Sequence, residues 1–120
     1  MTTRSTFSRE LEELNSSLEK MSIAAEEAIE QALKALISND RETAQRLVKE
    51  DEAIDQMERD IETRCLNLML RQQPVAADLR HISTALKVVT DLERIGDHAV
   101  NVCEWTEFSV NGSVNDVRIL

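Results

Sequence analysis

The stretch FSRELEELNSSLEKMSIAAEEAIEQALKALISND, residues 7–40, decides the fold. Its apolar positions read Phe7, Leu11, Leu14, Leu18, Met21, Ala25, Ala28, Ala32 and Ala35, an unbroken alternation of four and three. That spacing lays one stripe along a helix, with the seam turned toward a partner helix. Ser38-Asn39-Asp40 interrupts it. Asn39 suits a left-handed helix end, and Asp40 suits the N-cap of a following helix. A second stripe runs Ala44, Leu47, Ile54, Ile61, Cys65 and Leu68, then stops at Gln72-Gln73-Pro74. Proline disfavours helical geometry in the residue before it and fits the first turn of a new helix. The third stripe passes through Val75, Leu79, Ile82, Leu86, Val89, Gly96, Val100 and Cys103. From Ser109 the rhythm is lost.

These signals predict helices near 8–38, 40–72 and 75–108, with 109–120 as a C-terminal tail. Connections so short force antiparallel neighbours. The expected architecture is therefore all-α, an elongated antiparallel three-helix bundle over residues 1–108. Two glycines, one proline and three aromatics (Phe7, Trp105, Phe108) leave little from which to build hairpins, which excludes a sandwich or barrel. A hydrophobic content of 42% excludes a disordered acidic tail. No apolar run approaches the roughly 20 residues of a membrane span, and the N-terminus lacks the apolar core of a secretory signal. The expectation is a soluble, cytoplasmic chain. With 14 basic against 23 acidic residues, its formal net charge of −9 opposes nucleic acid and favours cations or basic partners. Cys65 and Cys103 have no metal-type spacing and read as reduced, small buried hydrophobes.

The seams break at charged positions. In the second helix the register places Asp51 and Glu58 on the stripe; in the third it places Glu93 there, beside Gly96. A carboxylate on a buried seam is costly unless paired, protonated or bound to a cation. Asp51 and Glu93 each have a second acid one turn on, Asp55 and Asp97, on the same helix face. Taking Pro74 as the turn, residues on helices two and three lie level when their numbers add to about 148. Asp55 then faces Glu93, and Asp51 faces Asp97. Around Asn39 the same rule brings Glu26 and Glu27 of the first helix near that height. Four level carboxylates suit iron, manganese or magnesium rather than a thiolate metal. A water-filled acidic groove is the open alternative.

His81 stands three residues after Asp78, as in di-iron bundles, but His98 follows Ile95, so the second carboxylate–histidine pair such sites need is missing. Ser83, Thr84 and Cys65 have no base beside them, and Gly96 lies in no phosphate-cradling loop. The residues support no enzyme.

The run Arg71-Gln72-Gln73-Pro74-Val75-Ala76-Ala77-Asp78-Leu79-Arg80, followed by Asp91-Leu92-Glu93-Arg94-Ile95-Gly96-Asp97-His98-Ala99, resembles the PhoU family of phosphate-uptake regulators. Asp51-Glu52-Ala53-Ile54-Asp55 and the opening Phe7 to Met21 fit the same pattern, so the resemblance covers about residues 6–108. It implies three-helix repeats whose acid-xxx-acid motifs, here Glu93/Asp97 and Asp51/Asp55, bind multinuclear metal clusters. It also implies a role restraining phosphate uptake and phosphate-starvation signalling, at a phosphate-specific ABC transporter and its sensor histidine kinase. The chain would reach the inner face of the membrane through those partners. Typical members carry two repeats; this chain holds one, and its Trp105-to-Gly112 stretch resembles the close of a second. A homodimer is expected, with Ile29, Leu33, Leu36 and Ile37 as its apolar face. Rival readings are a carboxylate-bundle storage or redox protein and a plain helical oligomerisation module.

Overall fold

The computed structural model describes residues 2–71 and 74–108. Three helices fill them: α1 (Thr2–Ser38), α2 (Arg41–Arg71) and α3 (Ala76–Phe108), each packed against the other two. The molecule is a rod of 64 × 23 × 16 Å. Among the described residues no helix is long and apolar enough to cross a membrane. The expected tail, 109–120, lies outside the described residues.

The turn between α1 and α2 forms as its residues dictate. Asn39 takes a φ of 55°, the left-handed conformation. The Asp40 N–H donates to the Ala35 carbonyl at 2.8 Å and the Asn39 N–H to that of Leu36 at 3.3 Å, the paired bonds that close a helix C-terminus. Asp40 then caps α2, its Oδ1 accepting from the Thr43 N–H at 3.1 Å and its Oδ2 from the Thr43 hydroxyl at 2.6 Å. Those bonds to the ionised form hold its carboxyl below the usual range. Across the α1–α2 interface Arg64 bonds Glu13 and Arg46 bonds Gln31, which fixes the antiparallel register at both ends.

Two departures concern helix starts. α1 begins at Thr2 rather than near residue 8, because no glycine or proline interrupts residues 2–7 and buried Phe7 anchors that turn. α3 begins at Ala76, and the Leu79 N–H donates to the Val75 carbonyl at 3.0 Å. Val75 is therefore the cap, and Pro74 lies just before the helix rather than in its first turn.

The core has two parts. Phe7, Leu14, Met21, Ile54, Ile61 and Ile82 anchor the larger; Ala32, Leu36, Leu47, Val102 and Cys103 anchor the smaller. Ala28 packs against both. The α1 and α2 stripes are the buried ones. On α3 the buried face is Asp78, Ile82, Ala85, Val89, Gly96, Ala99, Val102, Cys103 and Thr106, whereas Val75 and Leu79 are exposed. These buried residues keep the alternation of four and three in another phase: Ile82, Val89, Gly96 and Cys103 belong to the expected stripe, while Asp78, Ala85, Ala99 and Thr106 take the places expected of Leu79, Leu86 and Val100. Cys65 and Cys103 are free and buried; burial pushes the Cys65 thiol up to about 11. The expected apolar face of α1 is smaller than anticipated. Leu36 is buried in the second core and Ile29 packs against it, leaving Leu33 and Ile37 exposed.

Candidate metal centre

Gly96 of α3 packs against the acidic face of α2. A Cβ at this position would stand 3.2 Å from Asp51 Oδ1 and 3.4 Å from Ile54 Cγ2. The first distance is tighter than an ordinary van der Waals contact, so the absence of a side chain leaves the Asp51 carboxylate its place.

Antiparallel register then brings the acids together. Carboxylate oxygens of Asp51, Asp55 and Asp97 come within 4.8 Å of one another, and so do those of Asp55, Glu58 and Glu93. The four carboxylates made level by the position of Pro74 thus converge, with Asp55 common to both groups. Glu58 is the fifth member. Its seam register marked it, but the levelling rule sets it opposite Thr90, one turn from Glu93, and the longer glutamate side chain closes that turn. Helix α1 adds no carboxylate to either group: Glu26 is exposed and Glu27 lines a neighbouring cleft. That cleft, about 240 Å³, borders Asp51, and Ala24, Ala28, Gly96 and Ala99 are among the residues that line it.

Crowding shows in the protonation equilibria. Burial, then the charges of Asp55 and Asp97, raise Asp51 to about 6. Glu93 is raised to about 7, first because its protonated form donates a hydrogen bond to Asp97, then by burial and nearby acids. Burial raises Glu58 too, helped by Glu62 and Asp55. Nearby arginines pair elsewhere: Arg46 with Glu50, Arg59 with Glu52, Arg94 with Asp91. Five half-buried or exposed carboxylates with no guanidinium bridging them, and no histidine or thiol in either group, make an all-oxygen donor set. Such a set fits Mg²⁺, Mn²⁺ or iron.

Two expected results follow from this geometry. Asp51 and Glu93 bind protons more tightly folded than unfolded, so between pH 4 and pH 7 the native state carries the extra protons. Stability of the metal-free protein should therefore fall as pH rises through that window, by about 1–2 kcal/mol after allowance for solvent screening. Glu93→Gln keeps a donor for Asp97 and should flatten the decline. Urea melts in EDTA at pH 5 and pH 8 measure both; a stability that rises with pH contradicts the assignment.

For Gly96→Ala, helix propensity favours alanine by about 1 kcal/mol, against displacement of the Asp51 carboxylate by a few tenths of an ångström. Metal-free stability should stay within about 1 kcal/mol of the parent, while metal affinity falls about tenfold through the misplaced oxygen. Calorimetric titration of parent and variant reads the difference, and equal affinities would show that Asp51 is no ligand.

Comparison with known proteins places the chain in a family. The PhoU domain model matches residues 18–106. The phosphate-specific transport system accessory protein PhoU homolog of Clostridium acetobutylicum is 45% identical over 103 residues, covering 85% of this chain and 47% of that protein. The homolog from Aquifex aeolicus is 44% identical over 96 residues, covering 80% and 43%. PhoU homolog 1 of Thermotoga maritima is 36% identical over 98 residues, covering 82% and 42%. This chain thus spans less than half the length of these curated relatives. The bundle, the acid-xxx-acid pairs on α2 and α3, and a family match across most of the chain lead to one conclusion: the chain belongs to the PhoU family.

Proposed function

We propose that this chain is a non-enzymatic, metal-binding regulator of phosphate transport and phosphate-starvation signalling, acting at a phosphate-specific ABC transporter and its sensor histidine kinase. The observation that carries the reading is the convergence of Asp51, Asp55, Glu58, Glu93 and Asp97 across the α2–α3 interface. The relatives' description as accessory proteins of phosphate-specific transport supports the regulatory half. A bound cation would offset the mutual repulsion of the five carboxylates and tie α2 to α3. It would thereby stiffen the bundle and fix the outer faces offered to partners. Asp51 and Glu93 would release their protons as the metal enters, making binding stronger at higher pH.

A second copy covering exposed Leu33 and Ile37 of α1 is part of the same proposal. Light scattering should then give about twice the 13.6 kDa chain mass. Deleting the gene in its native host tests the regulatory role. Output of a phosphate-starvation reporter should rise in phosphate-replete medium, and unchanged output would overturn the reading.

A further inference from the structure

At the far end of the larger core, a second groove runs between α1 and α3, away from the acidic centre. It is open, about 450 Å³, and no carboxylate lines it. In a chain of net charge −9 that is a local reversal. Asn15, Arg80, His81 and Thr84 supply its polar lining, while Leu18 and Val88 form an apolar wall. His81 Nε2 and Asn15 Oδ1 lie 2.8 Å apart, so the ring N–H donates to the amide oxygen. The bond fixes both side chains and leaves the Asn15 amide hydrogens unspent. Arg46, Arg59, Arg64 and Arg94 each hold a carboxylate; Arg80 pairs with none among the described residues.

We propose that this α1–α3 groove binds a phosphate monoester, its phosphoryl oxygens taken by Arg80, Thr84 and Asn15 and its apolar substituent laid against Leu18 and Val88. Three kinds of side-chain donor suit a phosphoryl group, with three terminal oxygens, better than a carboxylate with two. A guanidinium fork bonds phosphate bidentately and strongly. Size argues for an ester over free phosphate. One water occupies about 30 Å³ of liquid, so a five-heavy-atom anion would fill only a fraction of the groove and leave the apolar wall wet. His81 acts as the positioning residue that holds Asn15.

Phenyl phosphate is the probe, titrated at about pH 7.5, where the ester is a dianion, into the isotope-labelled full chain and followed by NMR. EDTA is present, so that no metal at the acidic centre binds the phosphate. Saturable shifts are expected at the Arg80 Nε, the Asn15 amide and Thr84, with a Kd on the order of 1 mM. Inorganic phosphate should bind at least about tenfold more weakly, about 1.4 kcal/mol. Arg80→Gln, at an exposed position, should weaken the ester about tenfold without altering the remaining spectrum, and Thr84→Val should weaken it less. Shifts that do not saturate, or that ignore Arg80→Gln, overturn the site. Equal binding of inorganic phosphate overturns the ester assignment, and equal binding of benzoate overturns the phosphoryl one.

Discussion

Asp55→Asn is expected to weaken metal binding by roughly 100-fold or more, about 2.8 kcal/mol at 1.4 kcal/mol per factor of ten. No other single carboxylate should cost as much. Asp55 alone belongs to both oxygen groups, with Asp51 and Asp97 on one side and Glu58 and Glu93 on the other. Removing its charge therefore weakens two clusters together, whereas Asp51→Asn or Glu58→Gln touches one. Asparagine keeps the shape and one oxygen, so helix content should not change. In the metal-free protein the same substitution should be neutral or mildly stabilising, because it relieves repulsion on Asp51, Glu58 and Glu93. Calorimetric titration of the five single variants gives the ranking. Should Asp55→Asn bind as tightly as the parent, the two groups would not be joined through a shared ligand.

Leu14→Ala should destabilise the bundle by about 2–5 kcal/mol, the cost of lost burial plus an incompletely collapsed cavity. Leu14 is 0% exposed in the larger core, where all three helices meet. Leu66→Ala removes the same atoms from a position 52% exposed and should stay within about 0.5 kcal/mol. Denaturant unfolding of both variants in EDTA keeps metal out of the comparison. Similar losses for the two would mean that α1 does not pack as described. Because Leu14 lies on α1 near the level of Arg64, away from the carboxylates of α2 and α3 that form the acidic centre, folded Leu14→Ala should retain its metal affinity.

Much of this was readable from residue order, and for physical reasons. The α1 and α2 stripes were legible because each keeps one alternation of four and three in which its buried apolar residues fall. Asn39 and Asp40 were legible because a left-handed helix end and a carboxylate cap leave few other residue choices. The meeting of Asp51, Asp55, Glu93 and Asp97 followed from the position of one proline and an antiparallel register. On α3 the reading slipped. Its buried seam runs in another phase, because Ala85 and Ala99 carry little hydrophobic signal beside Leu86 and Val100, and Asp78 and Thr106 are buried polar residues in a face assigned by apolar periodicity. Glu58 was visible as a seam break, but its contact with Glu93 depends on side-chain reach, which spacing along the backbone does not encode. The size of the α1 apolar face was overstated for a related reason. Leu36 sits beside Ala35 and Ala32, whose small volumes let it turn inward and fill the second core.

The central claim is that the carboxylates of α2 and α3 hold a metal ion between them. Thermal unfolding of the chelated protein, repeated with added Fe²⁺, Mn²⁺ and Mg²⁺ and paired with elemental analysis after desalting, tests it most directly. At least one of these ions should remain bound and raise Tm in proportion to the logarithm of its free concentration, with about 2.7 kcal/mol gained at 100 times the Kd. The Asp55→Asn protein should need about 100-fold more free metal for the same rise. A Tm that none of the three ions moves, with no metal above background after desalting, would contradict the claim and leave the five carboxylates as a solvated acidic groove.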